Sequence, residues 1–451
     1  MPRRVQPPIK SPRERIESFS EVISSYNLQQ AITEASRCFS CYNPPCQRDC
    51  PSGIDIAEFI DRIKTGDTSG AVDVIREENA LPGICGRACP VEELCEKNCV
   101  RKNVDKEAVA IGALQRFAAD HEKLKQIGPN RLEPRGKKVA VIGSGPASLA
   151  TASELLKMGH EVTMFESRSV LGGLLSNGVP SYRLPKDVVD WEVGYIKEMG
   201  VEVLENRPVK RIGELIREGF SAVFVGIGMT KSASLNIPGE DLKGVYQGLE
   251  FLETVNRGLA GGAELPSLIG KKVMVIGGGD VAIDAARCSL RLGARNVIIV
   301  YRRSFEEMPA HGSEIKAASE EGVEFLTLSV PVKILGREQV EGVECMKMEL
   351  GPLDESGRRR PLPIPGSEFM LNADVVIEAI GQRLDEEFIR ENPEIKTSGG
   401  LIIVDERTGM TSKPGVFAGG DAVGGGTVVQ AIADGKIAAK GIDEYLKGSS
   451  E

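Results

Sequence analysis

Two stretches of the chain repeat one rhythm of apolar and polar positions. KKVAVIGSGPASLATASELLKMGHEVTMFES (137–167) and KKVMVIGGGDVAIDAARCSLRLGARNVIIVYRRS (271–304) each open on an unbroken apolar run. A glycine-rich turn follows, then apolar residues at three- and four-residue spacing, then a second apolar run. Unbroken runs suit strands buried on both faces, and the 3.6-residue spacing suits a helix packed on them, so each stretch predicts a strand–turn–helix–strand unit. Upstream, IDIAEFIDRIKTGDTSGAVDVIREENALP (54–82) and EAVAIGALQRFAADHEKL (107–124) read as amphipathic helices of a small helical domain, about 20–125. Near the other end, GVFAGGDAVGGGTVVQAIADGKIAAKGIDEYL (415–446) predicts a short strand ending at Asp421, a glycine-rich loop and a helix starting near Thr427. The polar stretch PLDESGRRRPLPIPGSE (352–368) reads as a surface loop.

At 451 residues the chain is too long for one ordinary core and predicts two or three domains. A net charge of -9, with charges of both signs scattered along the chain, argues against nucleic-acid binding. No apolar run is long enough to cross a bilayer, and MPRRVQPPIKSPRERIESFS is proline-rich and basic without the apolar segment of an export signal. The expected compartment is the cytoplasm, where clustered thiols more often bind metal or do redox work than form disulfides.

Eight of the ten cysteines fall between Cys38 and Cys99. CFSCYNPPCQRDCPSG spaces Cys38, Cys41, Cys46 and Cys50 as C-x2-C-x4-C-x3-C-P, and CGRACPVEELCEKNC spaces Cys85, Cys89, Cys95 and Cys99 as C-x3-C-x5-C-x3-C. Closely spaced thiolates on a turn can wrap one face of an iron–sulfur cluster, and in two-cluster ferredoxin runs the cysteine before proline serves the other cluster, as Cys50-Pro51 would. Zinc competes for such ligands, but the second box has neither C-x2-C nor a nearby histidine. Cys288 and Cys345 stand alone and read as small buried hydrophobes, so no dithiol accompanies the glycine-rich turns.

In the first unit Gly143 permits the tight turn, Gly145 lets the backbone approach a pyrophosphate, and the helix that begins through Pro146 and Ala147 supplies amide donors. Ser144 lies between the glycines, and Ser148 takes the place of the third glycine of the fingerprint. Glu166, 23 residues after Gly143, stands where a carboxylate accepts hydrogen bonds from ribose hydroxyls. The second unit has Gly277, Gly279 and Ala282 in the fingerprint positions, with Asp280 and Val281 opening the helix. Arg302 and Arg303 end its second strand, where a guanidinium fork pairs with a phosphate dianion that a carboxylate would repel, which predicts NADP(H) rather than NAD(H). Asp421 is placed to bind a flavin's ribityl chain, and Thr427 and Val428 open a helix whose N-terminus faces the flavin edge that gains negative charge on reduction.

The fold expected is α/β: a helical iron–sulfur domain (1–130), a Rossmann-like FAD domain split between 131–238 and 375–451, and an NADP(H) domain (239–374) inserted between those halves. IPGED (237–241) and LNADVVIEAIG (371–381) are the expected crossovers.

The combination of GSGPASLA, GGGDVAIDAAR, YRRS, EMPA and GGDAV, preceded by the two cysteine boxes, resembles the small subunit of NADPH-dependent glutamate synthase. The large subunit of ferredoxin-linked NADH:NADP+ transhydrogenase and the N-terminal half of dihydropyrimidine dehydrogenase share that plan. The resemblance covers nearly the whole chain. It implies two [4Fe-4S] clusters with crossed ligation: Cys38, Cys41, Cys46 and Cys99 on one; Cys50, Cys89, Cys95 and Gln115 on the other. Cys85 is then a neighbour without a ligand role, although an exchange of roles between Cys85 and Gln115 stays open. The resemblance also places Gly173, Leu174 and Arg183 among the cofactor-binding residues. Ser148, and Asp280 where many relatives carry Asn, depart from the pattern in turn packing and nicotinamide-site detail more than in class.

Hydride transfer between nicotinamide and flavin needs stacking and orientation more than an acid or base, which suits a chain with three histidines and no evident triad. The expected protein is therefore a converter, exchanging hydride between NADP(H) and FAD and passing single electrons through its clusters to or from a partner subunit. That partner is either a large FMN- and glutaminase-bearing subunit or, in a bifurcating transhydrogenase, a ferredoxin-reductase-like one. A non-catalytic iron–sulfur scaffold would have no need of the phosphate fork.

Overall fold

The computed structural model describes residues 3–448 apart from 135 and 355. In the N-terminal region the stripe of IDIAEFIDRIK forms the helix Ile56–Lys64, which buries Ile56, Phe59, Ile60 and Ile63 and is capped by Asp55 accepting the Glu58 N–H. Asp67 caps the next helix, Thr68–Glu78, through the Gly70 N–H. The helix Ile111–Lys125 packs with both, and Cys95 joins Ile60, Ile75 and Leu114 in their shared core. A second seam joins Ile111–Lys125 to the helix Pro82–Ala88, where a Cβ on Gly86 would lie 2.7 Å from the Arg116 backbone.

The first parallel sheet has the order Val416–Ala418, Ala222–Val225, Lys138–Ile142, Glu161–Phe165, Glu202–Leu204. Its edge strand thus comes from the far end of the chain. That strand stops at Ala418, before Asp421, because Gly420 turns the backbone (φ +74) into the short 3-10 turn Gly420–Val423. The helix beyond runs Val428–Gly448 and packs on Pro146–Lys157, the helix of the first glycine-rich unit.

The second parallel sheet has the order Val245–Gln247, Val375–Glu378, Lys272–Ile276, Asn296–Val300, Glu324–Leu326. The strand Val375–Glu378, expected to begin the returning half of the first domain, instead lies inside this sheet with all four residues buried. A run of that kind, VVIE, is satisfied only between two parallel neighbours, so the chain leaves the second sheet after Glu378.

The polar stretch expected as a surface loop contains a strand, with turns on either side of it. Arg359–Pro363 pairs antiparallel with Gly342–Leu353, which also pairs with Ser329–Leu335 and Phe369–Leu371. Pro361 and Pro363 sit two apart on an edge strand, so both lack an N–H on the side without a partner, the one place a sheet accepts proline. Among the described residues no helix is long and apolar enough to cross a membrane.

Buried ion pairs and an N-terminal strap join these bodies. Arg76 of the helical region meets Glu122 at 2.6 Å and Glu192 of the first nucleotide-binding region at 2.9 Å. Along the strap, the Val5 N–H donates to Glu34 (2.7 Å), Arg4 pairs with Glu96 (2.8 Å), Arg15 pairs with Glu320 (2.8 Å), and the Val22 N–H donates to the Tyr182 carbonyl (3.0 Å).

Candidate functional site: a two-ended cleft beside two thiol sets

The strand Lys138–Ile142 ends in Gly143, whose φ of +91 and 2.5 Å clearance between a built Cβ and the Gly226 carbonyl leave room for glycine alone. Gly145 caps the helix and Pro146 occupies its first turn, so this helix start needs no side-chain cap and leaves its N–H groups facing outward. Glu166, buried at the end of the next strand, is held by the Ser144 hydroxyl (2.5 Å), the Ser167 hydroxyl (3.1 Å) and the Arg168 N–H (2.9 Å). Ser144 in turn accepts the Gly172 N–H (3.0 Å), tying the first glycine turn to the Gly172-Gly173 turn. Ser148, in the third fingerprint position, is buried with its hydroxyl directed at the Ile142 carbonyl (3.4 Å), which is how a small polar residue fits there. Asp421 accepts the Gly426 N–H (3.2 Å), and burial pushes its carboxyl above the usual range.

In the second unit a Cβ on Gly277 would lie 2.1 Å from the Ala379 carbonyl, and one on Gly278 would lie 2.6 Å from the Tyr301 ring. Gly279 caps the helix Asp280–Arg291. Asp280 accepts the His311 N–H (3.2 Å), and the His311 ring reaches Glu93 of the second cysteine box (3.1 Å).

Both glycine turns open into one cleft of about 1410 Å³. Gly143, Ser144, Gly145, Pro146, Ala147 and Glu166 line one end with Gly173, Leu174, Asp421, Thr427 and Val428. Gly277, Gly279, Asp280, Val281, Arg302 and Arg303 line the other, and Arg183 lies between. Arg183 pairs with Asp284 at 2.7 Å and sits 3.6 Å from Glu314, so its charge is spent joining the two nucleotide-binding regions.

The arginine pair does not act as one fork. Arg303 is buried, donating to Asp354 (2.5 Å) and to the Arg359 carbonyl (2.7 Å) of the antiparallel hairpin. Arg302 is exposed and borders the cleft. The second strand of this unit stops at Val300, so the two arginines lie in the bend beyond it rather than at its end, and the sequence does not say which way a bend turns each side chain. The reading of 352–368 as a loop also missed Arg358, which borders the same cleft; the run Arg358-Arg359-Arg360 was its only signal.

Cys38, Cys41, Cys46 and Cys99, contributed by both boxes, line a small apolar cavity of about 30 Å³ walled by Ile56, Ile60, Val109 and Ile111. Burial, with Cys99, Cys38 and Cys41 adjoining, pushes the Cys46 thiol up to about 12. The remaining thiols form a second neighbourhood. Burial raises Cys95, with Glu96, Cys50 and Cys46 adding to it; burial likewise raises Cys89, with Cys85, Cys95 and Cys50 adding to it. The Cys85 thiol is pushed up to about 12, chiefly by burial. Buried thiols that repel one another as anions become thiolates only with a cation between them, which is the chemistry an iron cluster supplies. Among the described residues no three His, Cys, Asp or Glu side chains converge on one point as a lone ion requires. Gln115 is buried, its amide donating to the Pro82 carbonyl (3.1 Å) at the start of the helix that carries Cys85.

Two parallel sheets with glycine turns at one shared cleft, beside a helical domain rich in paired thiols, define a two-nucleotide reductase with an iron–sulfur module. The chain belongs to the pyridine nucleotide-disulphide oxidoreductase family, which matches residues 137–435; residues 15–127 match the domain described as dihydropyrimidine dehydrogenase domain II, 4Fe-4S cluster. It is 38% identical to the glutamate synthase [NADPH] small chain of Azospirillum brasilense, covering 97% of this chain and 94% of that one. Identity to the same subunit of Escherichia coli is 37%, over 98% and 97%. The NADP(+)-dependent formate dehydrogenase subunit beta of Moorella thermoacetica is 42% identical over 89% of this chain, which spans 60% of that protein's length. Among solved structures, Mycobacterium tuberculosis FprA in complex with NADPH superposes with a TM-score of 0.59 at 22% identity, covering 70% of this chain and 86% of that one. Lactococcus lactis thioredoxin reductase gives 0.53 at 22%, covering 69% and 99%. These two likenesses are of fold.

Proposed function

We propose that this protein is the NADP(H)-linked flavin and iron–sulfur subunit of a larger soluble oxidoreductase, with FAD at the Gly143 end of the cleft and NADP(H) at the Gly277 end. The observation that carries this reading is the single cleft onto which both glycine turns open, beside thiol sets drawn from both cysteine boxes. Glu166 accepts hydrogen bonds from ribose hydroxyls, the Pro146–Lys157 helix start meets a pyrophosphate, and Asp421 binds the ribityl chain. Arg302 meets the 2′-phosphate. The cleft's residues orient the two ring systems against each other; the chain supplies no acid–base triad, and none is required. A flavin accepts two electrons together and releases them singly, which is what links nicotinamide to one-electron clusters.

Cys38, Cys41, Cys46 and Cys99 hold one [4Fe-4S] cluster. Cys50, Cys89 and Cys95 hold the second, completed by Gln115 or by Cys85. The helical module covers residues 1–130 and the FAD region 131–238 with the returning segment, the NADP(H) region ending after Glu378. The protein works in the cytoplasm with a partner subunit of the FMN- and glutaminase-bearing kind found with glutamate synthase. A second reading, a different electron-transfer partner, is favoured by the 42% identity to a subunit named for formate dehydrogenase.

Anaerobic stopped-flow reduction of the flavin tests the nucleotide assignment. NADPH should bleach it at least tenfold faster than NADH, and Arg302→Ala should remove most of that preference; equal rates in the parent would sink the assignment. Mass spectrometry of proteins co-purified under anoxic conditions separates the two partner readings: a companion with FMN and glutaminase domains supports the first, a ferredoxin-reductase-like or dehydrogenase companion the second.

A further inference from the structure

Arg303, one arm of the fork expected from the sequence, is already committed: it is buried, with Asp354 and the Arg359 carbonyl taking its N–H groups. A phosphate dianion is recognised well by two guanidinium groups and poorly by one exposed one. The contacts that occupy Arg303 pull the tip of the hairpin down onto the Arg302-Arg303 loop. Arg359 holds the tip from the other side, pairing with Glu307 at 3.0 Å and lying 3.8 Å from Glu306. Near the tip Asp354 donates its N–H to the Arg358 carbonyl (2.8 Å), and its side chain accepts the Ser356 N–H (2.9 Å) and hydroxyl (2.6 Å). Within this moored turn Arg358 is half-buried, donates its Nε to the Ser356 hydroxyl (3.0 Å), and borders the cleft together with Arg302. Among the described residues Arg358 forms no ion pair, whereas Arg303 and Arg359 on either side of the hairpin contact do. The two side chains also sense each other: Arg302, exposed at the cleft edge but partly walled in, is held below its usual range by that partial desolvation and by the neighbouring Arg303 and Arg358 charges.

We propose that Arg358, delivered by the hairpin, is the second arm of the 2′-phosphate clamp with Arg302, and that Arg303 and Asp354 are positioning residues that dock the hairpin. This rests on the assignment of NADP(H) to the Gly277 end. It moves the nucleotide specificity of this chain partly out of the strand–turn–helix–strand unit and into an antiparallel insertion far along the sequence.

The test is equilibrium binding of NADP+, NAD+ and 2′,5′-ADP to the flavin- and cluster-loaded protein. Arg358→Ala should weaken NADP+ and 2′,5′-ADP by about tenfold more than it weakens NAD+, matching the loss in Arg302→Ala; Arg358→Lys should recover part of it, because a point charge serves a phosphate less well than a fork. Asp354→Asn should lower the same NADP+-to-NAD+ ratio, a selectivity that general loosening of the fold would not produce. If Arg302→Ala collapses the ratio while Arg358→Ala leaves it within twofold of the parent, the hairpin arm is refuted and the NADP(H) assignment stands. If the parent itself binds NADP+ and NAD+ alike, both are refuted.

Discussion

Asp354 concentrates the residue-scale chemistry at the Gly277 end of the cleft. The Ser356 hydroxyl first, then its N–H and the Arg303 guanidinium, hold the Asp354 carboxyl down to about 2. A folded value below the ordinary aspartate value of about 3.9 means that the charged form is favoured in the folded protein. The mooring is therefore fully present above about pH 4 and is lost as the pH falls towards 2. Amide hydrogen exchange across Arg359–Pro363 should be faster in Asp354→Asn than in the parent by a constant factor between pH 8 and 5, and the difference should close only below about pH 4. A difference that disappears near pH 6 would mean that another group governs the hairpin. Glu166 is the contrasting case. Its position was evident from the spacing after Gly143, but the donors that fix its rotamer, Ser144 and the Arg168 N–H, come from a turn contact and a chain reversal that spacing does not encode.

At the scale of elements, the Gly143 end of the cleft depends on one helix pair, Pro146–Lys157 and Val428–Gly448, far apart in the sequence. Thr151 donates its hydroxyl to the Gly435 carbonyl at 3.1 Å, and a Cβ on Gly435 would lie 2.4 Å from the Ala147 carbonyl. Gly435→Ala should therefore destabilise the protein by about 1–3 kcal/mol, despite alanine's better helix propensity, because the Pro146–Lys157 helix start must move. The denaturant midpoint and the flavin retained per chain check this together; a gain of about 1 kcal/mol with full flavin would show that the helices separate freely. The hairpin is the element least legible in advance. Its prolines and arginines have the composition of a loop, and only pairing with Gly342–Leu353 makes an edge strand of them. The stretch 371–381 was read as a crossover between domains, whereas Val375–Glu378 is an inner strand of the second sheet, because an apolar run carries no record of its neighbours.

At the scale of the molecule, the iron–sulfur module is locked to the first nucleotide-binding region by buried charge. Arg76 donates to both oxygens of Glu122 (2.6 Å each) and to Glu192 (2.9 Å), with the Tyr195 ring 3.7 Å from its guanidinium carbon. Arg76→Met leaves two buried carboxylates without their cation and should cost about 3–5 kcal/mol. Differential scanning calorimetry should then resolve the iron–sulfur module melting ahead of the nucleotide-binding regions; a single unchanged transition would show that the strap alone holds the module. The strap carries the same logic to the second sheet, through Arg15 to Glu320 and Val22 to the Tyr182 carbonyl.

Local patterns by themselves determined the two glycine turns, the cysteine boxes, the helical character of the first region and the presence of a strand and helix near the far end of the chain. Each rests on interactions within a few residues: a φ that only glycine tolerates, a thiol spacing, a 3.6-residue stripe. Tertiary structure alone decided that Arg302 faces the cleft while Arg303 anchors a hairpin, and that Arg183 serves a salt bridge between the nucleotide-binding regions. It also decided that four cysteines from two distant boxes share one apolar cavity. These are questions of which charge or surface a side chain meets across space, and a charged or apolar residue carries the same identity whether its partner is a phosphate, a carboxylate or its own sheet.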